Sequence, residues 1–195
     1  MDPAVRRAVL VALNAHQDLS REAICRLALA VDAWAAGSAA SSSPVTGEWV
    51  EALRVSPRAL GVAMELAPRA PEIASGLLAD AAARGLRVTV AGDDDYPRAL
   101  RELQLPPPVL YCRGRLPDRP AIAIVGSRAA DPYGLEATAF FAHALARAGL
   151  TIVSGFARGI DTAAHRAALR DPSGSTVAVL GCGLDVDYPR GSARL

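Results

Sequence analysis

The sequence predicts an α/β chain in which a parallel sheet follows a small all-α domain. Three observations carry that expectation. Beyond residue 120, three short apolar runs alternate with helix-like segments, and each run ends in a glycine-bearing loop. Up to residue 85, four or five helix-like segments follow one another without strand alternation. Between the two regions lies a proline-rich stretch. The expected organisation is a small helical domain over 1–85, an extended connector over 86–118 and an α/β domain over 119–195.

Residues 2–36 are rich in Ala, Leu, Val and Arg, with apolar positions at helical spacing. Ser20, followed by Arg21, Glu22 and Ala23, reads as a helix start, because a serine hydroxyl can cap and an acid suits the first turn. Small polar residues over 37–44 predict a loop, and 48–53 a short helix. Ser56-Pro57 opens a further helix over 56–66. Another runs over 71–84 and is closed by Gly85.

The segment LRVTVA at 86–91 alternates as a strand does. The cluster Pro106-Pro107-Pro108 then forces an extended path. Strands are expected at 121–125, 150–153 and 176–180, with helices at 135–148 (closed by Gly149) and 161–169. Continuous apolar strands alternating with helices imply a parallel sheet covered on both faces. Three strands are few for such a sheet. With the sequence ending at Leu195, an unpaired edge and an incomplete core are expected.

Apolar residues make up 51% and charged residues 21%, which fits a globular chain and excludes a disordered one. The net charge of +1 gives no support to nucleic-acid binding on global grounds. Lysine is absent, so every fixed positive side chain is an arginine, whose planar fork grips two phosphate oxygens at once. Cys25, Cys112 and Cys182 lie far apart, which argues against a disulfide framework or a zinc site and for a reducing compartment. Neither a signal peptide nor a run of ~20 apolar residues is evident, so a cytoplasmic, membrane-free protein is expected.

The loops after the three strands carry the chemistry. They are Gly126-Ser127-Arg128, then Ser154 to Asp161 (SGFARGID), then Gly181-Cys182-Gly183-Leu184-Asp185. In an open α/β sheet such loops share the carboxyl edge, where ligands bind at the strand-order switch. Glycines let the backbone approach a phosphate, and helix N-termini offer free N–H groups. Three such loops point to an anionic or nucleotide-like ligand. A dinucleotide fits poorly, because Gly-Ser-Arg is not G-x-G-x-x-G, and no lysine is present to complete a P-loop.

Ala123 to Arg128 (AIVGSR) followed by Tyr133-Gly134 resembles the first segment of the Rossmann-like domain of the DNA-processing protein A (DprA/Smf) family. Val153 to Asp161, then Ala164-His165, is similar to its second segment, with Phe156 where leucine is more usual. Val177 to Asp185 and Tyr188-Pro189 are similar to its third. Upstream, Tyr96 to Leu100 and Pro108 to Gly114 resemble the preceding linker. These matches run in order over 93–190, while the first ninety residues, SAM-like by resemblance, match loosely. The resemblance implies a truncated Rossmann-like domain. It also implies a protein that binds and protects single-stranded DNA with little sequence preference and assists loading of the RecA recombinase, often in natural transformation. Family members act as homodimeric binders and not as enzymes, with no cofactor. The family's later segments do not appear before Leu195.

On this reading Gly126, Ser127, Arg128, Ser154, Gly155, Arg158, Gly159 and Arg166 are the expected phosphate contacts. Asp161, Gly181, Gly183, Asp185 and Tyr188 are expected to contact a base or to order the site. Asp161 and His165, four apart on one helix, invite a metal or acid/base role; no third ligand stands near, and Asp161 suits an N-cap, so no metal is expected. Two other readings stand beside this one. The first is an enzyme of the nucleoside-monophosphate phosphoribohydrolase type, whose Pro-Gly-Gly-x-Gly-Thr-like loop is missing here. The second is a truncated remnant without function.

Overall fold

The structure, a computed structural model, describes residues 1–35 and 54–190. The loop expected at 37–44, the helix expected at 48–53 and the terminal stretch 191–195 lie outside the described residues. The chain divides into two compact units, Met1–Gly114 and Arg115–Leu195.

The first unit is built on α1 (Pro3–Ala15), α2 (Arg21–Ala35), α3 (Pro57–Leu66) and α4 (Ala70–Ala83), with a single 3-10 turn, Ala67–Arg69, ahead of α4. Local chemistry sets the helix starts. Asp2 accepts the Ala4 N–H at 2.6 Å ahead of Pro3, Ser20 accepts that of Ala23 at 3.1 Å, and Ser56 accepts that of Ala59 at 3.2 Å ahead of Pro57. Each such cap stabilises its helix by about 1 kcal/mol. Gly85 then leaves α4 at φ +67°, a conformation that suits glycine.

The segment 86–118 is more than an extended connector. It forms β1 (Arg87–Val90), the one-turn helix α5 (Arg98–Arg101) and β2 (Val109–Cys112), with β1 and β2 paired antiparallel from Arg87–Cys112 to Val90–Val109. Val88, Val90 and Val109 are buried with Leu10 and Val11 of α1 and Ala74 and Ala81 of α4. The alternation read at 86–91 therefore serves this unit's own core. Tyr96 is buried, and its hydroxyl donates to the Pro107 carbonyl at 2.7 Å. That bond ties the loop between the strands to the proline run that feeds β2. Arg7 of α1 reaches the same loop, pairing with Asp93 and donating to the Val88 carbonyl.

The second unit alternates β3 (Ala121–Ala123), α6 (Pro132–Arg147), β4 (Thr151–Ser154), α7 (Ile160–Ala168) and β5 (Ser175–Ala178). The sheet is parallel in the order β3-β4-β5, with Ala121, Thr151 and Ser175 in register. It is an α/β fold. Helix α6 begins three residues before the expected start, because Asp131 caps the Gly134 N–H at 2.7 Å and Pro132 occupies the first position.

The expectation of helices on both faces is corrected. Each crossover steps one strand in the same direction, and right-handed crossovers then put both helices on one face. Accordingly α6 and α7 pack against each other, and Ala142, Ala146, Ala164, Ala167 and Ala168 close over Ile152 of β4 in one cluster. Val153, with its neighbours Ala123 and Val177, belongs to the opposite face by strand alternation, and no described helix of this unit covers that face. With the strand order monotonic, no switch point lies among the described strands. The site must be built from other parts.

Candidate nucleic-acid interface

Parallel strands bring the loops after β3, β4 and β5 to one edge, and contacts lock the first two together. The Ser127 carbonyl accepts the Ile160 N–H at 3.2 Å, at the start of α7. Gly159 precedes that helix at φ +78°, and a Cβ there would come within 3.0 Å of the Arg128 carbonyl group and closer still to the Ser127 carbonyl. A Cβ on Gly126 would stand 2.7 Å from Ile160 Cγ1. Both glycines are thus required by close approach of one loop to the other.

Asp161 does not cap α7. Gly159 holds the N-cap position without a side-chain bond, and Asp161 lies inside the first turn, 6% exposed. Its carboxylate accepts the Gly126 N–H at 3.4 Å and the Ala157 N–H at 3.3 Å, one from each loop. It is positioned to order the rim, and its burial keeps it from a ligand.

Ser154 is also turned away from solvent. At 2% exposure its hydroxyl donates to the Ile124 carbonyl at 2.6 Å, so it stitches β4 to β3 and is not free for a phosphate. The Ser127 hydroxyl accepts the Ala129 N–H at 3.1 Å, which shapes the turn that presents Arg128. Gly155 is half-buried beside the Asp161 carboxylate.

The arginines are what remain exposed. Arg128, Arg158 and Arg166 all reach solvent. Arg158 and Arg166 share an open groove of about 520 Å³ between α6 and α7 with two arginines that sequence reasoning passed over, Arg170 and Arg190. Leu135 and Ala139 of α6 form part of its wall. Arg128 stands on the rim next to Gly159 and is not part of the groove lining. Among the described residues none of these five arginines forms an ion pair. Four-residue spacing from Thr162 through Arg166 was the signal that sets Arg170, just past the end of α7, in line with Arg166.

The third loop contributes only its end. Pro189, joined to Tyr188 by a cis peptide bond, and Arg190 line the groove. Gly181, Gly183, Asp185 and Tyr188 are exposed, but none of them lines it.

His165 faces inward from α7. Its Nδ1 lies 2.6 Å from the Thr176 hydroxyl, which itself donates to the Ile152 carbonyl at 2.8 Å. The hydroxyl proton being used, Nδ1 carries the imidazole proton and donates. Nε2 has no hydrogen-bond partner among the described residues, and the Phe156 ring packs edge-on at 5.2 Å. Burial holds this imidazole below its ordinary pKa, a shift the Asp161 carboxylate partly opposes. No group of three metal-ligating side chains gathers among the described residues.

Residues 87–195 match the family model described as DNA recombination-mediator protein A. The chain belongs to that family. Among its relatives, protein Smf of Synechocystis is 48% identical over 109 residues, which are 53% of this chain and 27% of that protein. The DNA processing protein DprA of Streptococcus pneumoniae is 46% identical over 105 residues, 53% of this chain and 36% of that one. The X-ray structure of the pneumococcal DprA superposes with a TM-score of 0.58 at 31% identity, covering 97% of this chain and 57% of the other. The aligned part of the chain is thus well under half the length of the two curated relatives. The family match covers both strands of the first unit's sheet and all of the second unit, where the glycine loops and the arginines reside.

Proposed function

We propose that this chain binds single-stranded DNA as part of a recombination mediator, holding the strand by its phosphates and leaving its bases unread. The observation that carries the reading is the set of exposed arginines that have no carboxylate partner among the described residues, beside two interlocked glycine loops. Guanidinium groups and main-chain N–H donors are the groups that position a phosphodiester backbone without reading sequence. The groove is open to solvent, which suits a strand better than a small molecule enclosed on all sides.

A preference for single strands has its own support. Helix α6 exposes Tyr133 (78%), Phe140 (68%) and Phe141 (59%), the two phenyl rings edge to face at 5.4 Å. Exposed aromatic faces stack on unpaired bases and find nothing to stack on in an intact duplex. The family resemblance supports extending the reading to two partners, RecA, whose loading the complete protein would assist, and a second copy of the chain. On this reading the protein works in the cytoplasm as a binder and not as an enzyme.

The test is anisotropy of a fluorescent oligothymidylate at about 50 and 200 mM salt. Binding is expected to be stronger for single strand than for duplex and to weaken steeply as salt rises. Arg128→Ala should weaken binding to all sequences about equally and lower the log–log salt slope by roughly 0.7, the increment for one single-strand phosphate contact. Salt-independent binding, or equal binding to duplex, overturns the reading.

A further inference from the structure

Asp161 and His165 stand four apart on α7 and are both buried, so they occupy the same inner side of the helix. That side holds the second loop. Its main chain is gripped at Ala157, whose N–H donates to the Asp161 carboxylate at 3.3 Å. The Ala157 carbonyl accepts the Thr162 hydroxyl at 2.6 Å and the Thr162 N–H at 3.1 Å. One residue earlier the backbone bends at Phe156, at φ +62°. Among the described residues of the second unit, no other non-glycine residue has a positive φ. A bulky L residue enters that region under strain, and the strain persists only where the surroundings over-determine the conformation. The loop has a glycine on each side of the bend, Gly155 and Gly159, yet carries an aromatic ring at the bend itself.

What answers that ring is His165. The two rings meet edge to face, with centroids 5.2 Å apart and planes at 63°. The imidazole is anchored, because its Nδ1–H donates to the Thr176 hydroxyl at 2.6 Å, which donates in turn to the Ile152 carbonyl at 2.8 Å. Phe156 is therefore braced, through an imidazole and a hydroxyl, against the main chain of the central strand β4. With Nε2 unpartnered among the described residues, the imidazole serves as an apolar face held by one polar edge.

We propose that His165 is a positioning residue for the strand contact made by Arg158: it braces Phe156 in the left-handed bend, and the bend sets the direction in which Arg158, two residues on, leaves the loop. The proposal rests on the single-strand reading above and adds to it a residue that never touches DNA. His165, Phe156 and Arg158 act as one unit, so losing any of them loses the same contact.

The experiment is a double-mutant cycle on the 195-residue chain. It is read by anisotropy of a fluorescent oligothymidylate at ~50 mM salt, well below the melting temperature of every variant. Arg158→Gln should weaken binding about fivefold, the loss of one exposed charge contact. His165→Asn, whose amide can still donate to Thr176 but offers Phe156 no ring, should weaken binding by a similar factor. The double variant should bind no more weakly than either single one. His165→Phe restores a ring opposite Phe156 and should bind within about twofold of the wild type. Should His165→Asn melt too low for the assay, Phe156→Leu removes the ring from the other, half-buried side, and the same cycle with Arg158→Gln applies.

A histidine that only stabilised the fold would lower Tm and leave the affinity of the folded chain untouched. Wild-type affinity in folded His165→Asn or in Arg158→Gln, or losses that multiply in the double variant, overturn the proposal. So does His165→Phe binding as weakly as His165→Asn. Absence of any oligonucleotide binding by the wild-type chain defeats the single-strand reading and the proposal with it, a result distinct from all of these.

Discussion

Gly159→Ala should dismantle the rim, and its effect can be separated from ordinary glycine replacement. Gly159 sits at φ +78°, ψ −125°, a region that L residues scarcely enter, at a cost on the order of 1–3 kcal/mol. Its added Cβ would also collide with main chain, reaching 3.0 Å from the carbonyl carbon and oxygen of Arg128 and nearer to the Ser127 oxygen. Backbone cannot swing aside as a side-chain tip does, so overpacking adds about 1–3 kcal/mol. The Ser127 carbonyl bond to the Ile160 N–H is lost in the same movement.

The total, about 2–6 kcal/mol, corresponds to a fall in Tm on the order of ten degrees or more for a unit of this size. Gly149→Ala is the control. It has φ +88° but nothing within 4 Å of its Cβ, so it carries only the backbone term, about 1–2 kcal/mol. Thermal melts followed by circular dichroism, with oligonucleotide anisotropy alongside, compare the two. Gly159→Ala should melt lower than Gly149→Ala and lose binding disproportionately, because Arg128 and Arg158 flank the disturbed contact. Coincident melts would refute the claim that the two loops are locked by close approach.

Two further outcomes follow from buried groups of the second unit. Asp161→Asn keeps the shape of the side chain but turns an N–H toward one of the two amides it now accepts from, so stability should drop by about 1–3 kcal/mol in a denaturant titration; a variant that unfolds with the wild type would show the carboxylate to be dispensable. His165 is held below its ordinary pKa by burial, so the unfolded chain binds its proton more readily than the folded one, and stability rises with pH across that window. The contribution is complete above the unfolded value of about 6.5 and drains away as pH falls below it. Melts between roughly pH 7.5 and 5 should show a slope that His165→Gln reduces, and an unchanged slope would contradict it.

The strand–loop–helix order of the second unit was legible in the sequence because each signal is local. Apolar runs mark the strands, glycines mark the turns, and Gly149 closes α6 at φ +88°. What escaped was long-range. The pairing of β1 with β2 joins residues 19 to 25 positions apart, across a proline run that by itself announces only an extended path. The burial of Ser154 depends on its facing Ile124 across the sheet, and no pattern within the SGFARGID loop records that. Asp161 sits where an N-cap is expected, and one of its two actual partners, Gly126, comes from a loop 35 residues earlier. Arg170 and Arg190 lie outside the three glycine loops that mark the site locally, and only the four-residue spacing from Arg166 to Arg170 signals the former in the sequence.

The one-sided placement of the helices explains why the arginine groove lies where it does. In a sheet whose order reverses, neighbouring loops diverge to opposite faces and leave a crevice at the reversal. Here the described strands advance without reversal, so α6 and α7 share a face and their outer surfaces define a common furrow. The depth of that furrow is set by alanine. Ala142 and Ala146 of α6 meet Ala164, Ala167 and Ala168 of α7, and side chains this small let helices approach toward the short end of the usual 8–10 Å interaxial range. The scarcity of aromatics in the core and the abundance of arginine at its surface are therefore two parts of one arrangement. Small residues draw the helices together, and long basic side chains line much of what is left, beside Leu135 and Ala139.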